Sequence, residues 1–152
     1  MRRMLVCLAL GALAASVSAT MVPQTTADLV AHATVVVTGT VESVNFTPPD
    51  GRMIITTEAK VRVNDTIVGS LAEEFVTVRA LGGRSGGLAL VVEDQPTFEE
   101  GEEVLLFLAP DGKGGYSCPD AVQGKKTIVS GTVLPDGVTL DTYLAAVAAA
   151  AR

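Results

Sequence analysis

An acidic turn followed by an unbroken apolar run is the clearest pattern in the chain. Residues 104–108 are all apolar, and the turn before them is centred on Gly101 and carries four glutamates. A run of this length is shorter than a typical globular helix and is typical of a strand that is buried on both faces. We therefore expect a central strand over residues 104–108, with the glutamates of the turn in water.

Alternating and β-branched stretches predict further strands on both sides of that run. The longest covers residues 34–44 and changes from continuous to alternating apolar positions at Gly39, which predicts a bulge or bend. Further strands are predicted over residues 53–63, 75–81, 88–92, 116–118 and 126–129, with a terminal hairpin over 133–140. A bent long strand with short hairpins favours a mainly β fold, a small antiparallel β-barrel. A flat two-sheet sandwich is the alternative.

A short helix is predicted before the first strand. Thr25 or Thr26 can cap a helix over residues 27–33, and Asp28 would lie in its first turn, where its charge suits the helix dipole. Its apolar face should plug one end of the barrel. Asp28 and His32 are four residues apart and would share a face of this helix as an exposed pair.

An Ala-rich segment predicts a second helix at the end of the chain. Alanine has the highest helix propensity, and Asp141 or Thr142 can cap a helix over residues 143–151. Its expected apolar stripe consists of Leu144, Val147 and Ala148. The barrel domain should therefore cover residues 25–140, with the C-terminal helix over 141–152.

The first 24 residues have the pattern of an export signal and a short leader. Two arginines precede an apolar run shorter than the ~20 residues that span a bilayer, and a small-residue sequence ending at Ala19 fits signal-peptidase cleavage. We expect residues 1–19 to be a signal peptide and 20–24 an extended leader. The protein would then be exported, to the periplasm or the extracellular space, without stable membrane insertion. A lipoprotein anchor at Cys7 is disfavoured because no small residue precedes that cysteine.

Charge and cysteine content narrow the classes of partner. The chain has 11 Lys and Arg against 17 Asp and Glu, and loss of Arg2 and Arg3 with the signal would lower the net charge from −6 to −8. Nucleic-acid binding needs a basic surface, so we expect no nucleic-acid partner. Cys118 would be the single cysteine left, which predicts a monomer without internal disulfides. Its expected role is that of a small, partly buried strand residue.

No set of residues in the sequence has the spacing of a catalytic or metal site. Asp28 and His32 could face one ion, but with a single His they lack the three or four ligands that a zinc site expects. Residues 124–127 fail as a phosphate loop, and the acidic turn lacks the ligand spacing of a calcium loop. No serine lies in a nucleophile-elbow motif. We therefore expect no catalytic residue, no metal and no cofactor.

Recognition by loops is the interpretation that remains. Residues 47–52 form a Pro- and Gly-containing turn, and residues 82–87 form a glycine-rich loop whose backbone N–H groups could hold an anion. Loops on a rigid scaffold commonly carry binding residues. The candidate binding residues, including the first residue of the leader, are Thr20, Pro49, Asp50, Arg52, Gly83, Arg84 and Ser85.

Several short motifs resemble a group of uncharacterised secreted bacterial domains. They are Ala27-Asp28-Leu29-Val30, Val37-Thr38-Gly39-Thr40-Val41, the turn Phe98-Glu99-Glu100-Gly101-Glu102-Glu103 with its apolar run, and Gln123-Gly124-Lys125. The resemblance covers roughly residues 25–130. It implies an OB-like barrel, similar in outline to the netrin and tissue-inhibitor-of-metalloproteinase barrels, that binds another protein or a ligand. Metalloproteinase inhibitors of that type use an N-terminal Cys and disulfides, so their mechanism does not transfer to a chain that starts at Thr20.

The leading hypothesis is a secreted, non-enzymatic β-barrel module that binds a protein or envelope partner through its loops. Inhibition of a partner enzyme is one form that such binding could take. The alternatives are a small secreted hydrolase with an unrecognised site and a surface protein that assembles with itself.

Overall fold

The computed structural model describes residues 21–47 and 54–152. The expected signal peptide, Thr20 and most of the expected loop over residues 47–52 lie outside the described residues. The protein is mainly β, with a closed five-stranded barrel, one helix near the N-terminus and one at the C-terminus. The predicted barrel is confirmed, and the alternative sandwich is wrong.

The described residues form ten strands and two α-helices. They are α1 (Thr26–His32), β1 (Val35–Phe46), β2 (Thr56–Val68), β3 (Phe75–Leu81), β4 (Gly83–Ser85), β5 (Leu88–Leu90), β6 (Glu103–Pro110), β7 (Tyr116–Ser117), β8 (Lys125–Val129), β9 (Thr132–Leu134), β10 (Val138–Thr139) and α2 (Leu140–Ala150). A short 3-10 helix, Ala121–Gly124, precedes β8. Within the described residues, no helix is long and apolar enough to cross a membrane.

The barrel closes in the order β1-β2-β3-β7-β6, with β6 pairing back onto β1. The first half of β6 also pairs with β8, which continues the sheet into β9 and β10. One pairing in the ring is parallel, because Val78 of β3 aligns with Tyr116 of β7. The other pairings of the ring are antiparallel, and the predicted central position of residues 104–108 is confirmed.

Strand β6 separates two apolar cores. All five residues 104–108 are fully buried. Val104, Leu106 and Leu108 belong to the cluster inside the barrel, whereas Leu105 and Phe107 belong to a second cluster with residues of both helices. Because successive side chains of a strand point to opposite faces, the helices must cover the outer face of β6. The expectation that α1 plugs one end of the barrel is wrong.

A bend in β1 allows this strand to contribute both to the core inside the barrel and to the second core beside the helices. The register between β1 and β2 shifts between Thr38 and Gly39, which confirms the predicted bulge. A Cβ atom at Gly39 would collide with the Arg62 carbonyl oxygen and approach Val61 Cγ1 to 2.7 Å. The close approach of two backbones therefore requires glycine here. β2 extends to Val68, beyond the predicted end at residue 63, because β1 continues to pair with it past the bend.

The helix caps match the prediction at α1 and differ at α2. Thr25 and Asp28 form a reciprocal capping box at the start of α1. α2 begins at Leu140, and its N-cap is Thr139, whose hydroxyl accepts a hydrogen bond from Thr142 N at 3.4 Å. The predicted caps at Asp141 and Thr142 are wrong. The buried face contains Tyr143 and Val147, with Leu144 half-buried, while Ala148 of the predicted stripe is exposed.

Candidate functional site

The glycine-rich segment forms a small hairpin that leaves the barrel. β4 and β5 pair with each other alone among the described strands, with Arg84 opposite Ala89. Gly86 and Gly87 connect them with φ values of +57° and +78°. Two consecutive positive φ angles are what a tight type I′ hairpin turn requires. The strand predicted over residues 88–92 is present as β5, but it is shorter and lies outside the barrel sheet, and part of the expected loop over 82–87 forms β4.

The root of this hairpin is fixed to the barrel. Gly82 N donates a hydrogen bond to Ile55 O at 2.8 Å, and the Thr57 hydroxyl donates to Gly82 O at 2.7 Å. Gly83 lies against the Phe46 ring, where an added Cβ would collide with the ring carbons. The hairpin therefore leaves the barrel from a defined position beside the end of β1.

An apolar groove lies between the hairpin, the ends of the first three strands and the segment that follows β5. Its volume is about 260 Å³. Its lining residues are Phe46, Thr57, Leu81, Gly82, Gly83, Arg84, Ala89, Leu90, Val91, Val92, Gln95, Pro96, Thr97 and Phe98. Phe98 and Pro96 are buried, whereas Phe46, Leu81 and Val91 are 43%, 49% and 87% exposed. We call this cavity the first groove.

A second groove adjoins the first. It has a volume of about 560 Å³ and shares the lining residues Pro96 and Thr97 with the first groove. Its other lining residues are Val122, Gln123, Lys125, Lys126, Thr127, Leu134 and Pro135. Val122 and Leu134 are exposed apolar side chains. The two grooves therefore form neighbouring apolar cavities on one surface.

Among the described residues, the charged side chains that line the two grooves are all cations. Lys125 Nζ lies 2.7 Å from Glu102 Oε1, and Lys126 Nζ lies 3.1 Å from Asp136 Oδ2. Arg84 lines the first groove and forms no ion pair within the part of the chain that the structure describes. No Asp or Glu lines either groove among these residues, although the chain as a whole has net charge −6.

The predicted binding residues are brought to this surface only in part. Gly83 and Arg84 line the first groove, and Ser85 lies on the same hairpin but lines neither groove. The remaining candidates, Thr20, Pro49, Asp50 and Arg52, lie outside the described residues. Sequence reasoning missed the exposed apolar side chains around the first groove, Phe46, Leu81 and Val91, which we call the apolar rim. The sequence signal for two of them is a large apolar residue at the end of a strand, Phe46 for β1 and Leu81 for β3.

His32 has a different partner from the one predicted. Its Nδ1 lies 2.8 Å from Asp120 Oδ1. Asp28 instead caps α1, and its hydrogen bonds with Thr25 lower the pKa of its carboxyl group. Asp120 Oδ2 is buried and has no hydrogen-bond partner among the described residues. In the same part of the chain, no three His, Cys, Asp or Glu side chains come together as metal ligands.

The residues around Asp120 also hold the leader. The side-chain amide of Gln123 accepts a hydrogen bond from Gln24 N at 2.8 Å and donates one to Val22 O at 3.0 Å. Together with the His32–Asp120 pair, these bonds fix the leader and α1 to the segment before β8. Residues 21–24, in the expected leader, contain no helix or strand.

Cys118 is partly buried against the core inside the barrel. Burial raises the pKa of its thiol to about 12, against the opposing influence of Lys125 and with a further increase from Asp120. The thiol therefore stays protonated at neutral pH, and a protonated thiol is a weak nucleophile. The structure confirms the predicted partly buried position, one residue after β7.

No protein-family model matches the chain, and no curated protein matches it. The resemblance to secreted OB-like barrels therefore remains a prediction from the motifs alone.

Proposed function

We propose that this protein is an exported, non-enzymatic β-barrel module that binds a protein partner at the first groove. The observation that carries the proposal is the exposure of Phe46, Leu81 and Val91 around one preformed apolar cavity. Clusters of exposed apolar side chains beside a groove are typical of interaction sites, whereas single exposed apolar residues are ordinary.

Burial of the apolar rim by a partner supplies the driving force for binding. A Val, Leu or Phe side chain that moves from water to a fully buried position contributes about 1.5–3 kcal/mol. Val91 is the most exposed of the three rim residues and would gain the most. The hairpin root is held by hydrogen bonds to Gly82, so the cavity already exists before binding. A preformed site lowers the entropic cost of association.

The chemistry of the lining supports binding without turnover. In the part of the chain that the structure describes, the first groove is lined by two hydroxyl side chains, Thr57 and Thr97, and by one cation, Arg84. General-base catalysis at neutral pH usually needs an imidazole or a carboxylate within hydrogen-bond reach of the nucleophile. No such group is among the described lining residues.

Site-specific photo-crosslinking tests the proposal. A photoreactive amino acid at position 91, in the first groove, should form an adduct with one partner from the native secretome. The matched control carries the same group at Val129, which is 50% exposed but lines neither groove. Excess unlabelled protein should compete for the adduct, whereas excess Val91→Asp protein should not. No adduct at position 91, or equal adducts at both positions, would contradict the proposed site.

A small hydrolase is the second candidate function, and the His32–Asp120 pair is the observation that favours it. A carboxylate that holds one nitrogen of an imidazole orients that imidazole as a general base. A hydrolase screen of the purified protein, with His32→Ala as the control, tests this candidate. Turnover that survives repurification and disappears in the variant would establish an enzyme.

A further inference from the structure

The two grooves are placed so that one extended chain could occupy both. They share Pro96 and Thr97, and each has its own exposed apolar side chains, Val91 on the first and Val122 and Leu134 on the second. An extended peptide points every second side chain to the same face, about 7 Å apart. Alternate side chains of a single segment could therefore enter neighbouring cavities.

The hairpin beside the first groove offers backbone groups to such a segment. Among the described strands, β4 and β5 pair only with each other, so each keeps one free edge. A free edge carries unpaired N–H and C=O groups that can pair with an added strand. The backbone and the side chains of an extended segment would then both find partners on this surface.

The charge of the lining indicates the composition of the segment. The three charged lining residues in the described part of the chain are cations, and the carboxylates of Glu102 and Asp136 already compensate the two lysines. Arg84 is left without an ion pair among the described residues. A guanidinium group pairs with a carboxylate through two parallel hydrogen bonds. A carboxylate on the ligand would complement Arg84, whereas a basic ligand would face uncompensated repulsion.

We infer that the joined grooves bind an extended segment of a partner protein that combines apolar residues at alternate positions with an acidic residue. The inference rests on the proposed function and names the kind of partner segment that the same site takes. The apolar side chains enter the two cavities, and one acidic side chain pairs with Arg84.

Selection of displayed random decapeptides on the immobilised exported protein tests the inference. Enriched peptides should combine apolar residues with Asp or Glu. The Arg84→Glu variant should enrich Lys or Arg in place of the acid and should bind the wild-type consensus peptide at least about tenfold more weakly. Lys113→Glu is the matched control, because Lys113 is exposed, has no ion pair among the described residues and lines neither groove. It makes the same change in net charge and should leave the enrichment unchanged.

A second pair of variants tests whether the segment reaches the second groove. Leu134→Asp should weaken binding of the consensus peptide several-fold, because Leu134 lines the second groove. Val129→Asp introduces the same charge at a position outside both grooves and should have little effect. All four variants alter exposed side chains, so their melting temperatures should stay close to that of the wild type.

Several results would overturn the inference. These are enrichment of basic peptides, acid enrichment that persists in Arg84→Glu, and binding that Leu134→Asp leaves unchanged. Binding of dodecanoate in calorimetry without enrichment of any peptide would show a site for a small amphiphile instead. A partner crosslinked at position 91 through a basic or helical segment would overturn this inference and leave the proposed function standing. Absence of that crosslink would instead remove the proposed function.

Discussion

Replacement of Leu106 by Asp should unfold the protein. The Leu106 side chain is fully buried inside the barrel, in the same cluster as Val37, Val61 and Val78. Loss of a buried leucine side chain costs about 2–5 kcal/mol. A carboxylate without a partner in this apolar core adds several kcal/mol, or must become protonated. Together these costs approach the whole free energy of unfolding of a typical domain, which is about 5–15 kcal/mol.

Thermal and urea unfolding, followed by circular dichroism, measures this effect. Leu134→Asp is the matched control, because it introduces the same group at a side chain that is 42% exposed. We expect Leu134→Asp and Glu100→Gln each to change the free energy of unfolding by no more than about 0.5 kcal/mol. We expect Leu106→Asp to lack a cooperative transition. If Leu106→Asp melts within a few degrees of Leu134→Asp, the assignment of β6 as the central strand is refuted.

Gly39→Ala should destabilise the barrel by more than about 1 kcal/mol in urea unfolding, because its Cβ meets a β2 carbonyl oxygen; a neutral effect would mean that the backbones can separate. Burial of Asp111 opposes its ionisation, but hydrogen bonds from Arg79 and from backbone N–H groups outweigh that effect and lower its pKa. The Asp111 carboxylate therefore stabilises the folded protein fully at a pH above its pKa in the unfolded chain. This stabilisation disappears as the pH falls through the lower pKa of the folded protein. Asp111→Asn should remove that part of the acid sensitivity in melts recorded between about pH 5 and pH 2, and an unchanged pH profile would contradict the assignment. Cys118→Ser should leave the protein soluble and monomeric in size-exclusion chromatography, with a loss of at most about 2 kcal/mol; a disulfide dimer that the substitution abolishes would contradict this. Mass spectrometry of the exported protein should show cleavage after Ala19, and an intact N-terminus would show that no signal peptide is removed.

Local patterns in the sequence were enough to predict most of the barrel strands. The apolar run over residues 104–108 forms a strand buried on both faces, and the strand over residues 75–81 has the predicted bounds. The cap at Thr25 was also predicted, because it depends on hydrogen bonds within a few residues. The bend at Gly39 was predicted because a glycine interrupts a run of β-branched residues, although the contact that requires this glycine comes from the β2 backbone. The cap of α2 was wrong, since Thr139, Asp141 and Thr142 can all supply a capping oxygen and tertiary packing decides where the helix begins.

The sequence by itself determined which side chains share a face, because the strand period of two depends only on local backbone geometry. It did not determine which faces and strand ends meet. Val78 and Tyr116 close the barrel although they are 38 positions apart, and His32 meets Asp120 across 88 positions. The first groove also depends on contacts between distant parts of the chain, because it lies between the ends of β1 and β3 and the segment after β5. Such contacts depend on how the whole chain closes, so only the tertiary structure decided that an apolar rim and Arg84 lie on one surface.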